Sequence, residues 1–322
     1  MNKAVLFGAF DRHNLGDLLL ARVAEREEER KTRGAVVFAG LAARDMTSFG
    51  GPCVVSLEEA IASGPVRLIH VGGEVLDCDA EQAAYMLGEP ALALGRQCAY
   101  AVAKGDLPAG SSVEFRAVGG VALAERPAAF RGEVLAALAR ADRVTVRDVV
   151  THDFMIANGI DAGLVPDPVS RVAALFGEEI LARKPASEGY AVVQFAAEWG
   201  DDATLVQLAR GLDRMGMPVV LFRAGAAPWH DDLEPYRRLA ARLTVPVSIF
   251  ESLNIWDICG LIAGARLFVG TSLHGRIVAE AFGVPAVSIE QRPREARKVS
   301  AYLRTWRLTP PVALDDFAAY HL

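Results

Sequence analysis

Between Ala265 and Glu290 the chain reads ARLFVGTSLHGRIVAEAFGVPAVSIE, and two of its side chains, His274 and Arg276, have the chemistry of an anion site. Leu267-Phe268-Val269 suits a strand buried on both faces, and Gly270 ends it. The Thr271 and Ser272 hydroxyls suit the cap of a following helix, which Gly283 stops. A helix that starts after a parallel strand presents free N–H groups and a partial positive charge to a ligand. A charged histidine is disfavoured there unless an anion offsets it. The spacing therefore predicts a bound phosphate or carboxylate beside Thr271, Ser272, Leu273, His274, Gly275 and Arg276. The plainer alternative for His274 is a half-buried ring bonded to the backbone.

Other segments carry chemistry less specifically. Gly8 to Asp17 (GAFDRHNLGD) is a glycine-bearing turn between a first strand and a helix. Its Asn14, Gly16 and Asp17 have the types that meet ligand hydroxyls, but they also cap and orient helices, and spacing alone favours capping. Gly72-Gly73 and Gly119-Gly120 end two strands, where close backbone approach to a ligand and plain tight turns both use glycine. Arg147-Asp148 offers a guanidinium for a carboxylate or phosphate, or a structural ion pair. Asp167 stands between two prolines, as a hinge contact or a turn residue.

Several chemistries find no text. There is no GxGxxG dinucleotide fingerprint, no GxxxxGK[ST] phosphate loop and no GxSxG nucleophile elbow. His13, His70, His152, His230 and His321 have no metal-like spacing. The four cysteines, Cys53, Cys78, Cys98 and Cys259, form no CxxC pair and are expected to be reduced and buried. No metal and no resident cofactor are expected.

The elements that must position these groups alternate. Strands are expected at 4–8, 35–39, 66–71, 113–118, 143–146 and 163–165. Helices are expected from Leu15 to Glu27, Glu81 to Lys104, Phe130 to Arg140 and Thr151 to Asn158. Such alternation predicts a parallel sheet covered on both faces. Arg183 to Gly189 (RKPASEG) reads as a linker. A second alternation runs through strands at 190–195, 218–222 and 247–250 and helices at 202–215, 231–243 and 254–263. A last amphipathic helix is expected from Glu295 to Trp306. The chain is α/β, with two Rossmann-like domains and a ligand cleft between them. Residues 1–170 form the first domain, 171–188 the linker and 189–322 the second.

A length of 322 residues suits two domains. The composition, 52% hydrophobic and 23% charged, is that of a globular protein. A net charge of −6 argues against a large nucleic-acid footprint. The mixed run Arg26 to Lys31 is expected to be a solvated helix face. The N-terminal apolar run is too short for a signal peptide or a membrane span, so a cytoplasmic location is expected, with peripheral association to a membrane-bound acceptor left open.

Taken in order, these segments resemble the polysaccharide pyruvyl transferase family. The features that match are N-x-G-D at Asn14, Gly16 and Asp17, then Gly72-Gly73, then V-R-D with Arg147, Asp148 and Thr151. Asp167-Pro168 and the G-T-S-L-H-G…G-V-P block complete the set. The resemblance spans nearly the whole chain, to about Lys298. It implies a GT-B-type fold and transfer of the enolpyruvyl-derived group of phosphoenolpyruvate to a hydroxyl of a sugar, lipid-linked glycan or polysaccharide in bacterial exopolysaccharide synthesis, usually as a pyruvate ketal. His274 is then the acid, and Asp17 or Asp148 the residue that takes the hydroxyl proton. Many members carry an arginine two residues before the histidine; here Ser272 stands there, with Arg276, Arg147 or Arg292 as replacement cations. Two other readings share the architecture: a nucleotide-sugar glycosyltransferase and a non-catalytic anion- or glycan-binding member.

Overall fold

The computed structural model describes residues 3–32, 36–186, 189–228, 230–292 and 297–319. Ala35, Ser187, Glu188, Glu295 and His321, each part of an expectation above, lie outside them. Two parallel sheets with helices on their faces form two lobes, the architecture expected.

In the first lobe, β1 (Lys3–Phe7) leads through the glycine-bearing turn into α1 (Leu15–Thr32). Then come β2 (Val36–Gly40), β3 (Arg44–Asp45), β4 (Cys53–Ser56), α2 (Leu57–Ile61), β5 (Val66–Val71) and α3 (Ala80–Leu87). The lobe continues through β6 (Ser112–Val118), α4 (Ala128–Ala139), β7 (Arg143–Val146), α5 (Val149–Ala157) and β8 (Gly163–Leu164). The strand order is β3-β4-β2-β1-β5-β6-β7-β8. All pairs are parallel except β3 with β4.

A connecting helix, α6 (Val172–Leu181), opens the stretch expected as linker, with Val172, Phe176 and Ile180 buried. The second lobe then runs β9 (Ala191–Gln194), α7 (Asp202–Met215), β10 (Val219–Phe222), α8 (Leu233–Ala240), β11 (Val247–Phe250) and α9 (Ile255–Ala263). It closes with β12 (Leu267–Gly270), α10 (Leu273–Ala281), β13 (Ala286–Glu290), α11 (Lys298–Thr305), β14 (Val312–Ala313) and α12 (Leu314–Phe317). Its sheet order is β11-β10-β9-β12-β13-β14, parallel throughout.

The order of each sheet reverses beside its first strand, and the crevice beyond the strand ends at that point is where open α/β sheets bind ligands. Two features hold the two crevices face to face. One apolar core crosses between the lobes, joining Leu15, Leu18 and Leu19 of α1 to Ile255 of α9 and to Leu273 and Ile277 of α10. Backbone bonds join the lobes as well, Leu15 N–H to the Ala224 carbonyl (2.7 Å) and Ala226 N–H to that of His13 (3.2 Å). At the far end α11 returns to the first lobe. The Trp306 indole donates to the Arg147 carbonyl (2.9 Å), and Val149 N–H donates to the Thr305 hydroxyl (2.9 Å).

Three expectations need correction. The helix expected from Glu81 to Lys104 stops at Leu87, because Gly88 takes a left-handed φ of 71° and closes the turn, and Pro90 follows. The run Arg26 to Lys31 is not wholly solvated. Glu28 is buried and accepts from Arg67 and Arg116 on the sheet, and these bonds hold its carboxyl down at about 2 despite the opposing effect of burial. Cys53 is exposed, while Cys78, Cys98 and Cys259 are buried free thiols.

Candidate functional site

A cleft of about 400 Å³ lies between the lobes. Its first-lobe wall carries Arg12, Asn14, Asp17, Glu74, Asp77, Arg126 and Arg147. Across it stand Gln194, Gly225, His230, Asp231, Thr271, Ser272, Leu273, His274 and Lys298. A recess of about 300 Å³ adjoins it and shares Glu74, Ala196, Thr271 and Lys298, with Trp199, Glu198 and Arg297 beyond.

The helix start at Ser272 forms as expected. Ser272 is the N-cap of α10, and its hydroxyl accepts from Gly275 N–H at 3.1 Å. His274 then projects from the first turn with its side chain 12% exposed, so only a narrow part of it reaches the cleft.

The anion that answers His274 belongs to the protein. Nε2 of His274 lies 3.2 Å from Oδ2 of Asp167, which also accepts from Nη1 of Arg147 at 2.9 Å. Arg147 Nη2 reaches Oε2 of Glu74 at 2.6 Å. The result is a chain, His274–Asp167–Arg147–Glu74, built from three loops and the first turn of α10. Burial works to raise the Asp167 carboxyl, but His274, Arg147 and the N–H of Val169 outweigh it and hold Asp167 below the usual carboxylate range. Burial would likewise lower Arg147, and Glu74 and Asp167 hold it above its ordinary value, so it stays charged. With Nε2 turned to Asp167, the other ring nitrogen is Nδ1. That edge of the ring lies against Gly16 of α1, where a Cβ would overlap it.

The N-x-G-D turn is thereby accounted for. Asn14 Oδ1 accepts from the N–H groups of Gly16 (2.9 Å) and Asp17 (3.2 Å), while its Nδ2 meets Nε2 of His230 across the cleft at 3.4 Å. Gly16 makes room for His274. Asp17 faces the cleft 3.6 Å from Arg12, whose Nη1 donates to the Tyr100 hydroxyl at 2.8 Å. His13, in the same turn, ties the lobes together. Its Nδ1 accepts from Ala226 N–H (3.1 Å), so Nε2 carries the proton that bonds the Leu253 carbonyl (2.7 Å).

Other sequence candidates take different places. Asp148 is buried and caps α5, accepting from Thr151 N–H (2.8 Å) and its hydroxyl (3.0 Å), so it has no access to a ligand. Arg276 is 2% exposed and clamps Glu280 (Nε 2.8 Å) and the Ala286 carbonyl (Nη1 2.7 Å), away from the cleft lining. Arg292 is exposed and does not line the cleft either. Gly72 and Gly73 have φ of 53° and 83° and join the ends of β5 and β6 through bonds to Arg116 and Gly119. They shape the wall and leave its surface to Glu74.

The residues missed from sequence are Arg12, Glu74, Asp77, Arg126, His230, Asp231 and Lys298. Glu74 had a signal, since an acid directly after a double glycine at a strand end sits at the crevice. Burial pushes Asp231 up to about 7, while Ala224 N–H (2.6 Å) and Gln194 Nε2 (3.0 Å) hydrogen-bond it. His230 is pushed down to about 3 by burial and then by Arg12 and Lys298, so the ring is neutral. Among the described residues no cluster fit to hold a metal ion is present, and no helix is long and apolar enough to cross a membrane.

A family model for polysaccharide pyruvyl transferase matches residues 118–292, more than half of the chain. It takes in Arg147, Asp167 and the His274 block. No curated protein matches in sequence. Among solved structures, the fold resembles Staphylococcus aureus MnaA with UDP, with TM-score 0.59 and 11% identity over 99% of this chain and 87% of that one. The UDP-GlcNAc 2-epimerase of Methanocaldococcus jannaschii gives TM-score 0.58 and 10% identity over 99% and 92%. Anabaena HepE with UDP-glucose gives 0.53 and 12% over 99% and 88%. At such identities the likeness is one of fold, the GT-B-like pair of lobes expected above.

Proposed function

The chain belongs to the polysaccharide pyruvyl transferase family, and we propose that its interlobe cleft transfers the pyruvyl group of phosphoenolpyruvate to a hydroxyl of a sugar or polysaccharide precursor. The observation that carries this reading is the His274–Asp167–Arg147 chain at the start of α10. A carboxylate behind an imidazole orients it, which is what a proton donor to carbon needs. Asp167 also offsets the helix dipole, which would otherwise oppose a charged His274.

The donor sits at the second-lobe wall. The N–H groups of the first turn of α10 and the Lys298 ammonium of the same wall receive the phosphate and carboxylate. Charge-assisted hydrogen bonds contribute about 1.5–3 kcal/mol each, so two or three give useful affinity without the arginine that Ser272 replaces. His274 protonates C3, which makes C2 electrophilic. An acceptor hydroxyl adds to C2, and phosphate leaves. The first-lobe wall, with Asn14, Asp17, Glu74 and Asp77, supplies the acceptors that sugar hydroxyls need.

Phosphate release from phosphoenolpyruvate, with thermal-shift titration against phosphoenolpyruvate and UDP-, GDP- and CMP-sugars, tests the reading. Stabilisation by phosphoenolpyruvate is expected, and His274→Gln should lose about 10²–10⁴-fold in rate while still binding it. Stabilisation by a nucleotide-sugar alone would make the protein a glycosyltransferase. Binding without phosphate release would make it a non-catalytic member.

A further inference from the structure

We propose that Asp77 is the base that takes the proton of the acceptor hydroxyl, a role that rests on the transfer reading above. The two sequence candidates for that role are otherwise engaged. Asp148 is buried as the cap of α5, and Asp17 lies against Arg12. Of the other carboxylates at the cleft, Glu74 gives one oxygen to Arg147 and the other to Val121 N–H. Asp167 is shared by Arg147 and His274, and Asp231 is held by Gln194 and Ala224.

Asp77 differs. One of its oxygens accepts from Ala122 N–H at 3.0 Å, and among the described residues it makes no ion pair. It lines the same cleft as His274, with Glu74 next to it and the Glu74–Arg147–Asp167–His274 chain linking the two walls. Acid and base therefore stand on opposite walls of one cleft, with the reacting carbon able to lie between. Burial, and then Glu74, push Asp77 up to about 7, which suits a base working near neutrality. Its other titratable or charged neighbours are Arg126, which opposes that rise, and the Cys78 and Cys98 thiols.

The proton balance is closed. His274 gives its proton to C3, the hydroxyl oxygen bonds C2, and the hydroxyl proton passes to Asp77. The C2–O bond to phosphate breaks with its electron pair on the departing phosphate, which takes the proton from Asp77. A second hydroxyl that closes the ketal returns its proton to His274.

The test is Asp77→Asn, which keeps an oxygen for Ala122 N–H, with Asp77→Glu beside it. Phosphate release from phosphoenolpyruvate is measured with water and with methyl galactoside, glucoside and mannoside as acceptors. Calorimetry gives phosphoenolpyruvate affinity. Asp77→Asn should lower kcat by about 10²–10³-fold and leave phosphoenolpyruvate affinity within about threefold. It should also abolish the acidic limb of the kcat profile, which in the wild type lies near pH 7, and Asp77→Glu should restore part of that limb. A rate within about threefold of wild type, or an unchanged acidic limb, would overturn the proposal. If the wild type itself releases no phosphate, the transfer reading falls and Asp77 falls with it. If the wild type does and Asp77→Asn does equally, only Asp77 fails.

Discussion

Gly16 of α1 lies against the imidazole of His274 of α10, so closely that a methyl group on Gly16 would overlap the ring. The first lobe thereby sets the position of the second lobe's histidine. On an exposed helix, glycine to alanine stabilises by about 1 kcal/mol. Here Gly16→Ala should instead destabilise by about 1–3 kcal/mol through overpacking. It should also cut phosphate release from phosphoenolpyruvate more than tenfold, because the ring is pushed out of its place beside Asp167. Urea melts and rate measurements decide it, and a more stable, equally active variant would refute the contact.

Asp167→Asn removes the charge between Arg147 and His274. Breaking a buried pair from one side costs about 3–5 kcal/mol. The folded carboxyl lies below its ordinary value, so its contribution is present above the unfolded value, about 3.9, and fades as pH falls below it. The stability gap between wild type and Asp167→Asn should be widest at neutral pH and shrink below about pH 4. Denaturant titrations from pH 2.5 to 7 measure it. A gap that stays constant down to pH 2.5 would remove the charge from the argument.

Arg276→Met tests a group that the sequence places at the anion site and the structure places behind it. Its bonds to Glu280 and the Ala286 carbonyl are lost, at about 2 kcal/mol, the range for hydrogen bonds to a charged group. The folded variant should bind phosphoenolpyruvate as wild type does, since Arg276 does not line the cleft. A tenfold weaker affinity at unchanged fold would return Arg276 to the donor site.

Much of the fold was legible along the chain. Leu267 to Phe282 folds as its text predicts, down to the Ser272 cap, because strand, cap and helix are decided by residues within a few positions of one another. The helix expected past Leu87 fails for a local reason as well, since Gly88 and Pro90 outweigh the apolar spacing around them. The site was legible only in part. Asn14, Arg147, Asp167 and His274 could be picked out by type and by resemblance, but not their partners.

The sequence by itself determined the alternation of elements, the α/β class, the helix start at Ser272 and the family, because each depends on short-range pattern or on ordered motifs. Which charge meets which was decided by the tertiary structure. Asp167 turns to His274 and Asp148 to its own helix, Arg147 faces the cleft and Arg276 the core, although all four are equally plausible in the text. The physical reason is that a charge is stabilised by what lies within a few ångströms of it. At this site those neighbours come from loops near residues 74, 147, 167 and 274, which meet only when the two sheets close over a common core.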